Sequence, residues 1–151
     1  MQTLAATGIR ISELKFITVA SLAKKAVLVR AKGRERTVLL APKLCRALKK
    51  YSSSQGICTG SIFVTKSGRA VDRSNIWAEM NKLCTKARVS PSLVFPHNFR
   101  HLFAVSFYEM SHDIVKLADL LGHASIDTTR IYLKESASAH YRQIERLNII
   151  I

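Results

Sequence analysis

The sequence predicts an α+β domain, mainly α, with a small antiparallel β-sheet near its N-terminal end. Three observations carry this. Apolar residues recur at helical spacing through most of the chain. The stretch "AVLVRAKGRERTVLL" alternates apolar and polar residues around a Lys-Gly-Arg turn, as a β-hairpin does. A length of 151 residues at 48% apolar content supplies one compact core.

Taken in order, "MQTLAATGIRISELKFI" reads as two helical pieces broken at Thr7-Gly8, with Arg10 near the break. The hairpin follows. "PKLCRALKKY" places Pro42 at a first helical position, with Leu44 and Leu48 on one face. "YSSSQGICTG" reads as a loop, "SIFVT" as a further short strand and "KSGRAV" as a turn. Asp72 can cap the next helix, in which Ile76, Met80, Leu83 and Ala87 keep helical spacing. Pro91 and Pro96 interrupt the pattern. A helix from about His97 to Tyr108 comes next, then "DIVKLADLLG", whose Gly122 suits a left-handed C-cap. Ser125 or Asp127 can start the turn that carries Tyr132, and a last helix is expected in "ASAHYRQIERL".

Lys and Arg number 24 against 10 acidic residues, a net charge of +14 spread along the whole chain. Such a surface attracts phosphates and releases their counterions on binding, so DNA or RNA is the first partner to consider. A merely basic protein is the alternative. Cys45, Cys58 and Cys84 form no CxxC pair, which argues against a disulfide framework or zinc ribbon and fits a reducing cytosol. No apolar run approaches the roughly 20 residues needed to cross a bilayer. The N-terminus lacks the basic and apolar regions of a signal peptide. A cytoplasmic location without membrane association is expected.

Three clusters could carry chemistry. Arg10 and Arg100 each offer a planar fork of donors that matches two phosphate oxygens; a structural salt bridge to Glu13 or Glu109 is the competing use. His97 and His101 stand four apart, as metal ligands can, but Asn98 takes the place of the glutamate in HExxH and no acidic residue completes a site. No metal and no cofactor is therefore expected, and His101 reads as a packing or supporting residue. In "LADLLGHASIDTTRIYLK", His123 follows the helix-ending Gly122 and Tyr132 follows the next turn. Ala118 and Gly122 also stand four apart, as in a helix-turn-helix. Lys32 in the hairpin turn is, by itself, a solvated lysine.

Together these stretches resemble the tyrosine recombinase (phage integrase) family. "ATGIRISEL" is similar to its first arginine box, with Arg10 as catalytic arginine and Glu13 as acidic companion. "RAKGRERTV" resembles the hairpin that bears the catalytic lysine, Lys32. "PHNFRHLFA" matches the HxxR box with His97 and Arg100, and "LLGHASIDTTRIY" the final box with His123 and the nucleophile Tyr132. "HNFRHLFA" with "DTTRIYLK" is most similar to integrases of conjugative transposons from Gram-positive bacteria.

The resemblance implies a mostly helical catalytic domain with a three-stranded sheet. Its activity would be cleavage and rejoining of double-stranded DNA through a 3′-phosphotyrosyl link, without metal or ATP. It implies self-association on DNA in the full-length protein. Family members also carry an N-terminal core-binding domain, so residues 1–151 are expected to be the catalytic domain at the C-terminal end of a longer protein. The tail "SASAHYRQIERLNIII" is expected to form an amphipathic helix that docks on a neighbouring protomer, with Ile149 to Ile151 folding back onto their own domain as the alternative. A helix-turn-helix regulator that binds without cleaving, and a type IB topoisomerase-like activity, are the alternative functions.

Overall fold

The computed structural model describes residues 1–31, 33–91 and 94–133. Lys32, Ser92, Leu93 and residues 134–151 lie outside this range, and with them the expected last helix and the docking of the tail. The architecture is mainly helical around one two-stranded antiparallel sheet.

Helix α1 (Gln2–Thr7) ends at Gly8, whose φ of 60° closes the helix in the left-handed region. A 3₁₀ helix spans Ile11–Phe16. Helix α2 (Val19–Lys24), which the sequence reading leaves unassigned, starts from a reciprocal cap between Thr18 and Ser21.

Strands β1 (Ala26–Ala31) and β2 (Arg34–Leu39) then form the expected hairpin, with Val27 opposite Val38 and Val29 opposite Arg36. Val27, Val29 and Val38 are buried on one face, while Leu28 and Leu39 stand exposed on the other. Arg36 has the same parity as Val38, so the pleat turns this arginine inward.

Helix α3 (Pro42–Ser54) opens with Pro42 and buries Leu44, Cys45 and Leu48. It runs past Tyr51 into the expected loop, where the hydroxyls of Ser52 and Ser54 turn back onto the Lys49 and Tyr51 carbonyls.

The strand expected in "SIFVT" does not form. Ser61 and Val64 make isolated bridges only, to Thr18 and Ala70. The segment pairs with the residues entering α2 rather than with the hairpin: Ile62 N–H donates to the Ile17 carbonyl and Val19 N–H to that of Gly60. Among the described residues, two strands therefore stand where three were expected.

Helix α4 (Arg73–Ala87) is capped by Asp72 as expected. Its buried stripe runs through Met80 and Cys84, and Leu83 is 50% exposed. Residues four apart follow the helix axis more closely than the Met80–Leu83 step, so Cys84 takes the inward position.

Helices α5 (Pro96–Ser111), α6 (Ile114–Leu121) and α7 (Ile126–Arg130) follow, and a 3₁₀ turn over Ile131–Leu133 carries Tyr132. Two apolar clusters result. One gathers α1, the hairpin and α3 around Leu4, Ile17, Val27 and Leu48; the other packs Ala104, Leu117, Leu121 and Tyr132. Helix α5 joins them: Phe99 packs on the first and Ala104 belongs to the second. Among the described residues no helix is long and apolar enough to cross a membrane.

Candidate active site

Arg100 lies on α5, only 3% exposed. Its Nη1 donates to the Gly8 carbonyl at 2.5 Å, and its Nη2 donates to the Leu121 carbonyl at 2.6 Å. These carbonyls sit at the C-terminal ends of α1 and α6, where helix dipoles present partial negative charge. Glycine is required at both ends for a further reason. A Cβ on Gly8 would lie 2.5 Å from a Phe103 ring carbon, and one on Gly122 would lie 2.5 Å from Arg36 Cδ. Two glycine-capped helix ends, through the Gly8 and Leu121 carbonyls, thus clasp one guanidinium. Among the described residues, neither Glu13 nor Glu109 forms an ion pair with it. Burial, and then the charge of Arg10, lower the Arg100 pKa to about 10, while the Tyr132 phenol beside it pulls the other way. Arg100 remains a cation at neutral pH.

Arg10 does form the salt bridge to Glu13 that the sequence allowed, at 3.1 Å, and its side chain is still 42% exposed. Glu13 is 2% exposed and also accepts two bonds from Arg36, at 2.9 and 2.7 Å. Burial pushes its carboxyl up, but the hydrogen bonds from Arg36 and Arg10 outweigh burial and hold it below the ordinary value. Arg36 also reaches the Leu120 carbonyl with Nε at 3.3 Å, so one side chain ties the hairpin to Glu13 and to the end of α6. The sequence reading missed Arg36. Its signal was parity, since it stands two and four residues before Val38 and Leu40, both buried.

Tyr132 is 8% exposed and ringed by three histidines. The His123 ring stacks on it with an interplanar angle of 8° at 5.6 Å between centroids. His97 lies tilted at 5.3 Å, and His101, on the next turn of α5, meets it edge-on at 5.6 Å. His123 Nε2 is 3.0 Å from Arg100 Nη2, and its Nδ1 is 2.8 Å from the hydroxyl of Thr129, a residue with no exposed surface. Burial and then Arg100, Arg10 and Arg36 bring the His123 pKa down to about 4; burial, Arg100 and His101 lower that of His97. Both imidazoles are neutral at physiological pH.

Arg10, the His97–Arg100 pair and Tyr132 come from three separate stretches of the sequence, yet they line one cavity of about 730 Å³, with Arg73, Ser74, Trp77 and Phe95 around it. Trp77 and Phe95 stack at 5.2 Å. Arg10 and His123 also line an adjoining hollow of about 710 Å³ beside Glu13 and Arg36. A cavity with the guanidiniums of Arg10, Arg73 and Arg100, the neutral imidazole of His97 and one phenol, with His123 in the hollow beside it, can hold an anion, neutralise its charge and offer it an oxygen nucleophile. Lys32 lies outside the described residues, so the structure neither brings it to this cavity nor keeps it away. Among the described residues, no three His, Cys, Asp or Glu side chains gather as metal ligands would.

The profile of the phage integrase family matches residues 1–139. The tyrosine recombinase XerD of Staphylococcus saprophyticus is 33% identical over 147 residues, covering 91% of this chain and 50% of its own length. XerD of Brucella suis is 36% identical over 141 residues, covering 87% and 46%. The chain therefore spans about half the length of these relatives. Among solved structures, the XerA recombinase superposes with a TM-score of 0.79 at 30% identity, over 99% of this chain and 55% of that one. The Tn1549 transposon integrase in complex with transposon right end DNA gives 0.75 at 19% identity, over 95% and 56%, which is a likeness of fold alone.

Proposed function

The chain belongs to the phage integrase family, and on that premise we propose that it is the DNA strand-cleaving and rejoining domain of a site-specific recombinase, with Tyr132 as nucleophile. The observation that carries the reading is the placement of Tyr132, at the edge of an anion-holding cavity and beside the buried guanidinium of Arg100.

The Tyr132 oxygen attacks the scissile phosphorus of a DNA strand. A tyrosyl–phosphorus bond forms, the bond to the 5′-oxygen breaks, and the phenolic proton passes to a neutral imidazole or to water. Arg10 and Arg100 balance the charge that develops on the phosphorane, and His97 and His123 donate hydrogen bonds to its oxygens. Lys32, which lies between β1 and β2 in the sequence, protonates the departing 5′-oxygen. Attack by a 5′-hydroxyl on the phosphotyrosyl link reverses these steps, and because the link keeps the phosphodiester energy, ATP is not consumed. Glu13 orients Arg10. Exchange between two duplexes needs more than one active tyrosine, so self-association on double-stranded DNA belongs to the same proposal. The length of the relatives supports reading residues 1–151 as the catalytic domain of a longer protein. A helix-turn-helix regulator fits less well: α7 has five residues and leads into the buried Tyr132 instead of presenting a long exposed face.

Covalent trapping tests this. A pool of nicked duplexes of randomised sequence should yield a protein–DNA adduct with the wild-type chain, and EDTA should not reduce it. Tyr132→Phe should abolish the adduct and keep noncovalent DNA binding. An adduct that survives in Tyr132→Phe moves the nucleophile to Tyr108 or Tyr141 and defeats the assignment.

A further inference from the structure

His123 holds its proton on the wrong nitrogen for the role just assigned to it. Its Nε2 lies 3.0 Å from Arg100 Nη2, and a guanidinium only donates, so Nε2 is an acceptor here. A neutral imidazole carries one proton, which must then sit on Nδ1, donating to the Thr129 hydroxyl at 2.8 Å. A phosphate oxygen offers only lone pairs. To bond it, Nε2 must carry the proton, and Nδ1 must become an acceptor.

The partner of Nδ1 decides whether that exchange is possible. A carboxylate or carbonyl there would hold the proton on Nδ1; a hydroxyl can accept from it or donate to it by rotating about one bond. Thr129 has no exposed surface. Its hydroxyl is therefore the standing partner of Nδ1, while the partly exposed His123 ring exchanges its protons with water.

We propose that Thr129 is a positioning residue that permits His123 to change tautomer when a phosphate enters and draws Arg100 Nη2 away from Nε2. In the DNA-free state the hydroxyl accepts from Nδ1–H. With phosphate bound it donates to the bare Nδ1, and Nε2–H points to a phosphate oxygen. One proton leaves Nδ1 for water as another reaches Nε2 from water, so the charge of the imidazole is unchanged. The site is thereby self-satisfied when empty: Arg100 and His123 bond each other and become available as the anion displaces that contact. This rests on the reading of the cavity as a site of phosphoryl transfer.

The test uses Thr129→Val, which keeps the shape and removes the hydroxyl, and Thr129→Ser, which keeps the hydroxyl. Nitrogen-15 NMR of the histidines should show His123 as the Nδ1–H form in the DNA-free wild type, shifting toward Nε2–H on addition of nicked duplex, and a smaller shift in the valine variant. On the nicked-duplex pool, the valine variant should bind as wild type does but form adduct about tenfold more slowly, the scale of one orienting hydrogen bond. The serine variant should recover most of the rate. A valine variant that does not fold is replaced by Thr129→Ala with the same readouts. Adduct from the wild type and undiminished adduct from the valine variant would sink the switch alone, as would an Nε2–H tautomer in the DNA-free wild type. No adduct from the wild type would sink the reading of the site, and the switch with it.

Discussion

Replacing Glu13 with glutamine probes how the arginines are held, because each carboxylate oxygen accepts from both of them. Oε1 takes Arg10 Nη1 at 3.1 Å and Arg36 Nη1 at 2.9 Å; Oε2 takes the Arg10 backbone N–H at 2.9 Å and Arg36 Nη2 at 2.7 Å. A glutamine has one oxygen and one nitrogen that only donates, so in either orientation two of these donors face another donor. Glu13 is 2% exposed, which leaves no room for water to substitute. Removing one partner of a buried ion pair costs about 3–5 kcal/mol, and the retained oxygen places this variant near the lower end, about 3 kcal/mol. At ~2–4 °C per kcal/mol for a domain of this size, scanning calorimetry should show Tm lower by about 6–12 °C. Adduct formation should fall as well, because Arg10 loses the group that aims it. The double variant Glu13→Gln, Arg36→Met separates the two effects. Replacing both partners of a buried pair is close to neutral, so Tm should largely return while adduct formation stays low. A Tm within about 2 °C of wild type for Glu13→Gln alone would refute the argument.

Three further outcomes are expected. Gly122→Ala adds the left-handed penalty of about 1–2 kcal/mol to the displacement of Arg36, so urea unfolding should show a loss above about 2 kcal/mol; Gly33→Ala, also at positive φ but with nothing within 4 Å of the added carbon, should lose only the backbone part. Stability should decline as pH falls from about 6.5 toward about 4: an unfolded imidazole titrates near 6.5, and the folded pKa of His123 is about 4, so the unfolded chain binds more protons across that window. His97, also lowered, adds in the same direction, whereas the contribution of Glu13 is full above the ordinary carboxylate pKa of about 4.3 and is lost only below it; a decline of unchanged slope in His123→Gln would contradict the assignment. Finally, Lys32→Ala should fail on ordinary DNA yet cleave a strand whose 5′-bridging oxygen is sulfur at near wild-type rate, since a thiolate leaves with a pKa of roughly 8.5 and needs little protonation; equally poor cleavage of both strands would make Lys32 a phosphate-binding residue.

The elements that local chemistry specifies were legible in the chain itself. Proline at position 42, the Asp72 cap and Gly122 after an apolar run each act within a few residues, and each stands where the sequence placed it. The hairpin was legible because alternation and turn residues reinforce one another. The four boxes named Arg10, Lys32, His97, Arg100, His123 and Tyr132 as candidates, since residue types and order survive in one dimension.

Partners did not. "SIFVT" has the composition of a strand, but only packing decided that Ser61 meets Thr18 and not the hairpin. The choice of Cys84 over Leu83 depended on where α4 lies against its neighbours. Likewise, nothing local says that Arg100 is clasped by the Gly8 and Leu121 carbonyls, that Arg36 bridges Glu13 and Leu120, or that Thr129 faces His123 Nδ1. A buried polar group must find a partner, and sequence states that obligation; which group meets it is set by distances between elements that are far apart along the chain.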